Sequence, residues 1–122
     1  MKMKPLSRSD ASTIEADFHD RARERKLLAT RLAVKALQDL EAIGLQAWVV
    51  GSLAKGRFSP FSDVDFVVNC PREREYEAFR VIERAMDGLP FHMVPGGRIL
   101  ADALPLMMEG AADAPGLIAR EA

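Results

Sequence analysis

Apolar residues recur at helical spacing through the first third of the chain. Leu28, Leu32, Ala36, Leu40 and Ile43 fall three or four positions apart, which on a helix gathers them into one stripe. The predicted helix begins at Ser9 or Ser12, where Ser12-Thr13-Ile14-Glu15 offers a capping box, and stops at Gly44. Its first half, Asp17 to Lys26, is densely charged and interrupted only by Phe18 and Ala22. That half is expected to run beyond the core, either as a solvated face steadied by near-neighbour charge pairs or as a grip for a partner. The period then shortens. Leu45 to Val50 reads as a strand, with Trp48 and Val50 on one face and Trp48 in the core. Val64 to Asn69 and Leu89 to Val94 read as two more. Between these, Tyr76, Phe79, Ile82 and Met86 mark a second long helix, ended by Gly88 and Pro90. A brief helix over Ser52 to Gly56, a loop from Arg57 to Ser62, a turn at Pro95-Gly96-Gly97 and a short helix over Pro105 to Glu109 complete the pattern.

Three strands with helices before, between and after them imply a small mixed α/β layer, its sheet covered by helices on one face. The chain divides into a flexible arm over 1–8, one domain over 9–110 and a weakly ordered Ala-, Gly- and Pro-rich tail over 111–122. A length of 122 residues suits a single small core. Seventeen basic against eighteen acidic residues leave a formal charge of −1, which argues against nucleic acid as a partner. The one cysteine, Cys70, excludes an internal disulfide and reads as a small buried residue at a strand end. The N-terminus lacks an apolar leader core, and no run approaches the roughly eighteen apolar residues of a membrane span. A soluble, cytoplasmic protein is expected.

Chemistry concentrates in one segment, Gly51 to Asp65. An apolar strand ends in Gly51-Ser52, and the next begins with Asp63-Val64-Asp65. Strand side chains alternate, so Asp63 and Asp65 share one face while Val64 enters the core. Mg²⁺ is commonly held by one or two carboxylates completed by substrate phosphates, so this pair calls for a phosphorylated ligand. Gly51 permits close backbone approach, and the hydroxyl and first N–H groups at Ser52 suit an anion. Ser52 also reads as a helix N-cap, which is compatible with the same role. Lys55 and Arg57 lie near enough to neutralise phosphate charge, or are simply solvated.

Gly-Ser, ten residues, then Asp-Val-Asp, with Ala54-Lys55-Gly56 and Ser62-Asp63 inside the run, resembles the signature of the minimal nucleotidyltransferases of the polymerase-beta-like superfamily. The resemblance spans roughly residues 30 to 110. It implies a small mixed sheet with helices on its back, a nucleoside triphosphate substrate such as ATP, and Mg²⁺ held by Asp63 and Asp65. Phosphate binding falls to Gly51 and Ser52, with Lys55, Arg57 and Ser62 around them. One departure stands out. Where such proteins carry a third aspartate on the next strand, this chain has Phe91-His92-Met93-Val94. His92 can serve as general base and can ligate metals, but it brings no negative charge. It can also be an inert surface histidine. Related small proteins act as antitoxins to helical HEPN-type toxins, so the resemblance implies transfer of a nucleoside monophosphate to a hydroxyl on such a partner. The alternative is a degenerate binding module that neutralises its partner by contact. The chain has no second domain for an acceptor, so a partner or a second copy in a homo-oligomer would complete the site.

Overall fold

The computed structural model describes residues 8–99 and 101–121, with side chains over 17–99 and 101–120. The arm expected over 1–8 lies outside these residues except for Arg8, which opens the first helix.

Helix α1 runs over Arg8–Ala42, roughly 52 Å at the usual rise per residue. It starts upstream of Ser12, so the expected capping box sits inside the helix rather than at its head. The buried face is Ala29, Ala33, Ala36, Leu37 and Leu40, which keeps Ala36 and Leu40 of the expected stripe but takes Ala29 and Ala33 in place of Leu28 and Leu32. Leu28 is exposed, and Leu32 and Ile43 are only partly covered. Alanine rather than leucine on this face lets α1 lie against the second long helix, α3 (Glu75–Met86), which answers with Ala78, Ile82, Ala85 and Met86. Tyr76 and Phe79, expected on that stripe, stay exposed. α1 ends where Gly44 takes φ +79. There the Leu45 N–H donates to the Leu40 carbonyl at 2.9 Å and the Gly44 N–H to Glu41 at 2.9 Å, closing a Schellman cap.

The sheet has three strands: β1 (Gln46–Val50), β2 (Val64–Asn69) and β3 (Phe91–Pro95). Their order is β1-β2-β3. β1 pairs antiparallel with β2, and β2 pairs parallel with β3 across the α3 crossover. Val49, Val64, Phe66 and Val68 turn one face of the sheet into the core, where α1 and α3 cover it. The helices thus occupy one face, as the family resemblance implied.

Two expectations are corrected. Trp48 is half-buried and stands apart from the core cluster. It shares a row with Val67, on the face turned from the helices. The tail over 111–122 is structured through residue 121. Ala112 bridges to Val49, and helix α5 (Ala114–Glu121) buries Ala114 and Leu117 against α1. The Ala, Gly and Pro content that suggests disorder is used instead for close packing and for starting a helix, with Pro115 in its first turn. A one-turn helix, α4 (Leu104–Met107), precedes it. No helix of the described residues is long and apolar enough to cross a membrane.

Candidate active site

β1 delivers the chain to Gly51, where φ turns to +73 and the one-turn helix α2 (Gly51–Ala54) begins. Leu53 and Ala54 plug this turn into the core. No side chain caps it, so its leading N–H groups face away from the helix without an intrahelical acceptor. Its far end is held from a distance in sequence. The Arg120 guanidinium donates to the Ala54 carbonyl and, at 3.3 Å, to that of Gly110. Arg120 is thus a supporting residue that the sequence did not reveal. A basic residue in the last turn of this helix carries no spacing signal toward a carbonyl 66 positions earlier.

The sheet register assembles the rest. Val50 pairs with Asp65 and Asp65 with His92, so one row across all three strands carries the end of β1, a carboxylate and the imidazole. Asp63 precedes β2 by one residue, with Val64 fully buried between the two carboxylates. The Nε2 atom of His92 lies 2.9 Å from Asp63 Oδ2. Gly51 is pressed against Asp65: a Cβ at this position would stand 2.5 Å from Asp65 Oδ2. A glycine is therefore required twice, by its dihedral and by the carboxylate beside it.

Burial pushes the Asp65 carboxyl above its ordinary value. The charge of His92 pulls it back and that of Asp63 adds to the rise. No Lys or Arg of the described residues forms an ion pair with either aspartate. Two carboxylates on one face without a Lys or Arg partner, one of them raised by burial and by its neighbour, fit a divalent cation. Among the described residues no group of three or more His, Cys, Asp or Glu is arranged to hold a metal alone. The donor set therefore suits an ion shared with substrate phosphates.

Asp63, Asp65, His92 and Gly51 thus lie together, with Ser52 next in the chain as the second residue of α2. Lys55 and Arg57 are exposed and pair with neither aspartate. Lys55 stretches toward Gly110, where a Cβ would lie 3.5 Å from its Cγ. Ser62 is engaged within its own loop. Its hydroxyl accepts the Ser59 N–H at 3.0 Å and lies 3.0 Å from the Ser59 hydroxyl, while its N–H reaches the Ser59 carbonyl at 3.1 Å. It shapes the approach to Asp63 through backbone geometry.

A glycine-serine turn and two same-face aspartates at one end of a helix-backed mixed sheet define a nucleotidyltransferase-type site. The family model described as a nucleotidyltransferase domain matches residues 31–102, and the chain belongs to that family. No curated protein and no solved structure matches it.

Proposed function

We propose that the protein transfers AMP from ATP to a hydroxyl on a partner protein, with Mg²⁺ as the ion, and that it serves as the antitoxin of a helical HEPN-type toxin. The observation that carries the transfer reading is the row Val50–Asp65–His92, with Gly51 against Asp65 and His92 bonded to Asp63. The antitoxin role and the choice of ATP rest on the resemblance in the Gly51–Asp65 segment.

In this reading the Gly51-Ser52 turn binds the triphosphate through its leading N–H groups and the Ser52 hydroxyl. Asp63 and Asp65 would hold the divalent ion, which would supply charge neutralisation to the triphosphate. If the His92 Nε2–H donates to Asp63, its Nδ1 lone pair is left as the base. The acceptor hydroxyl then loses its proton to Nδ1 as its oxygen bonds to the α-phosphorus and the bond to pyrophosphate breaks.

The second reading, a binding module without transfer, is favoured by one feature, the imidazole in place of the third carboxylate. Titration calorimetry with ATP, with and without Mg²⁺, on the parent and on Asp63→Ala/Asp65→Ala tests the site. Metal-dependent binding lost in the double variant supports it, and absence of any binding sinks the transfer reading. With an acceptor in hand, His92→Ala separates the two. Loss of labelled AMP transfer makes the histidine catalytic, whereas a gain in His92→Asp marks a degenerate site. Toxin neutralisation that survives Asp63→Ala/Asp65→Ala belongs to the binding module.

A further inference from the structure

The outer edge of β1 carries an opening that the transfer reaction does not use. The Val49 N–H donates to the Ala112 carbonyl at 2.8 Å, and the Ala112 N–H donates back at 2.9 Å. Val49 therefore turns both its groups away from β2. In an antiparallel ladder this alternates, so Ala47, two residues earlier, turns its N–H and C=O to the same edge. No strand of the described residues pairs with it there, because β1 is the end of the sheet and the Ala112 bridge is isolated. After Ala112 the chain leaves the edge as α5 begins at Ala114. A cavity of about 420 Å³ remains in the gap, lined among others by Leu37, Glu41, Ala47, Trp48, Asp113 and Pro115. That volume falls within the range of ligand-binding pockets.

The charge of this gap is one-sided. Its lining holds two carboxylates, Glu41 and Asp113, and no basic side chain. Neither carboxylate forms an ion pair among the described residues. Asp113 uses one oxygen to accept the Gly116 N–H at 2.8 Å, which leaves the other free. Trp48 is also among the lining residues. Unpaired strand groups ask for an extended main chain, and the carboxylates ask for a cationic side chain upon it.

We propose that the β1 edge docks an extended segment of another polypeptide that carries an arginine or lysine. The segment's main chain pairs with Ala47 and its cationic side chain enters the gap between Glu41 and Asp113. The strip lies near the start of β1, with roughly 13 Å of strand between Ala47 and Gly51, so it would hold a partner without obstructing the turn. The inference stands apart from the transfer reaction, and loss of ATP binding leaves it untouched.

Trp48 is the only tryptophan of the chain, so its fluorescence reports on this gap directly. The full chain is titrated with acetyl-Val-Arg-Val-amide, and with the same tripeptide carrying Gln or Glu in place of Arg. A saturable change is expected with the Arg peptide, about tenfold weaker with Gln and absent with Glu. N-methylation of the peptide's valines should weaken it again by removing main-chain donors. Glu41→Gln/Asp113→Asn should abolish the preference for Arg, while the amide oxygen introduced by the second change can still accept the Gly116 N–H. Equal response to the Arg and Gln peptides, or no saturable response to either, overturns the proposal, and this comparison requires no variant to fold. Self-association of the parent that competes with the Arg peptide would assign the edge to a second copy and equally overturn it.

Discussion

Replacing Gly51 by alanine separates two roles that one residue plays, and Gly44 provides the control. Both glycines sit in the left-handed region, at φ +73 and +79. A non-glycine residue there costs about 1–2 kcal/mol, partly offset by the lower entropy of the unfolded chain, for a net loss of about 1 kcal/mol. At Gly44 nothing lies within 4 Å of the added Cβ, so Gly44→Ala should show that loss alone. At Gly51 the Cβ would meet Asp65 Oδ2 at 2.5 Å, whereas ordinary contact begins near 3.4 Å. The carboxylate must withdraw by nearly 1 Å. Asp65 is only half-buried, so its rotation to an off-rotamer position adds roughly 0.5–1.5 kcal/mol and no more.

The two variants should therefore be close in stability, each lowering the melting temperature by a few degrees for every lost kcal/mol. Function should divide them. Disturbing the orientation of a metal-binding carboxylate commonly costs about 10–100-fold in affinity. Gly51→Ala should lose Mg²⁺-dependent ATP binding by that factor in calorimetry, while Gly44→Ala binds as the parent does. Urea denaturation run alongside fixes the stability comparison. Parental ATP affinity in Gly51→Ala would refute the claim that Gly51 sets the position of Asp65. A large loss of affinity in Gly44→Ala would show that left-handed strain, not the carboxylate contact, governs binding.

Three further outcomes follow from named contacts. Because burial holds the folded Asp65 carboxyl above its ordinary 3.8, the folded state binds that proton more tightly than the unfolded one. Its contribution to stability is full below that value and is lost as pH rises through the folded value. Asp65→Asn removes the penalty, so in urea titrations it should gain on the parent as pH rises from below 4 and level off once the folded value is passed, by at most about 1 kcal/mol given the solvent around a half-exposed group; a constant offset at all pH values would refute the linkage. Leu117→Ala should cost about 2–5 kcal/mol because the side chain is fully packed, and a variant as stable as the parent in thermal melts would return the tail to the disordered state expected from its composition. Ser62→Ala should lower stability by about 0.5–1.5 kcal/mol through the loop bonds to Ser59, with ATP affinity in calorimetry reduced less than tenfold; a larger loss would place the hydroxyl on the nucleotide.

What could be read from the sequence, and what could not, follows from the range of the forces involved. Strand period placed Asp63 and Asp65 on one face because alternation is a property of two adjacent residues. The Gly-Ser turn was legible because a left-handed dihedral admits few residues. The phase of α1 at Leu28 and Leu32 was not. Leu28 outranks Ala29 in hydrophobicity, yet Ala29 is the buried one, since the choice depends on packing against a helix dozens of positions later whose own buried face includes Ala78 and Ala85. Tyr76 failed in the same way, its spacing fitting a stripe that Ala78 and Ile82 actually form. The tail failed because small residues signal disorder only when no cleft awaits them. Here Ala112 finds the free edge of β1 and Leu117 the side of α1. Its second task, anchoring the Ala54 carbonyl through Arg120, ties the stability of α5 to the turn that presents Gly51 and Ser52. Damage to the last helix should thus reach the proposed nucleotide site through Arg120 without touching either aspartate.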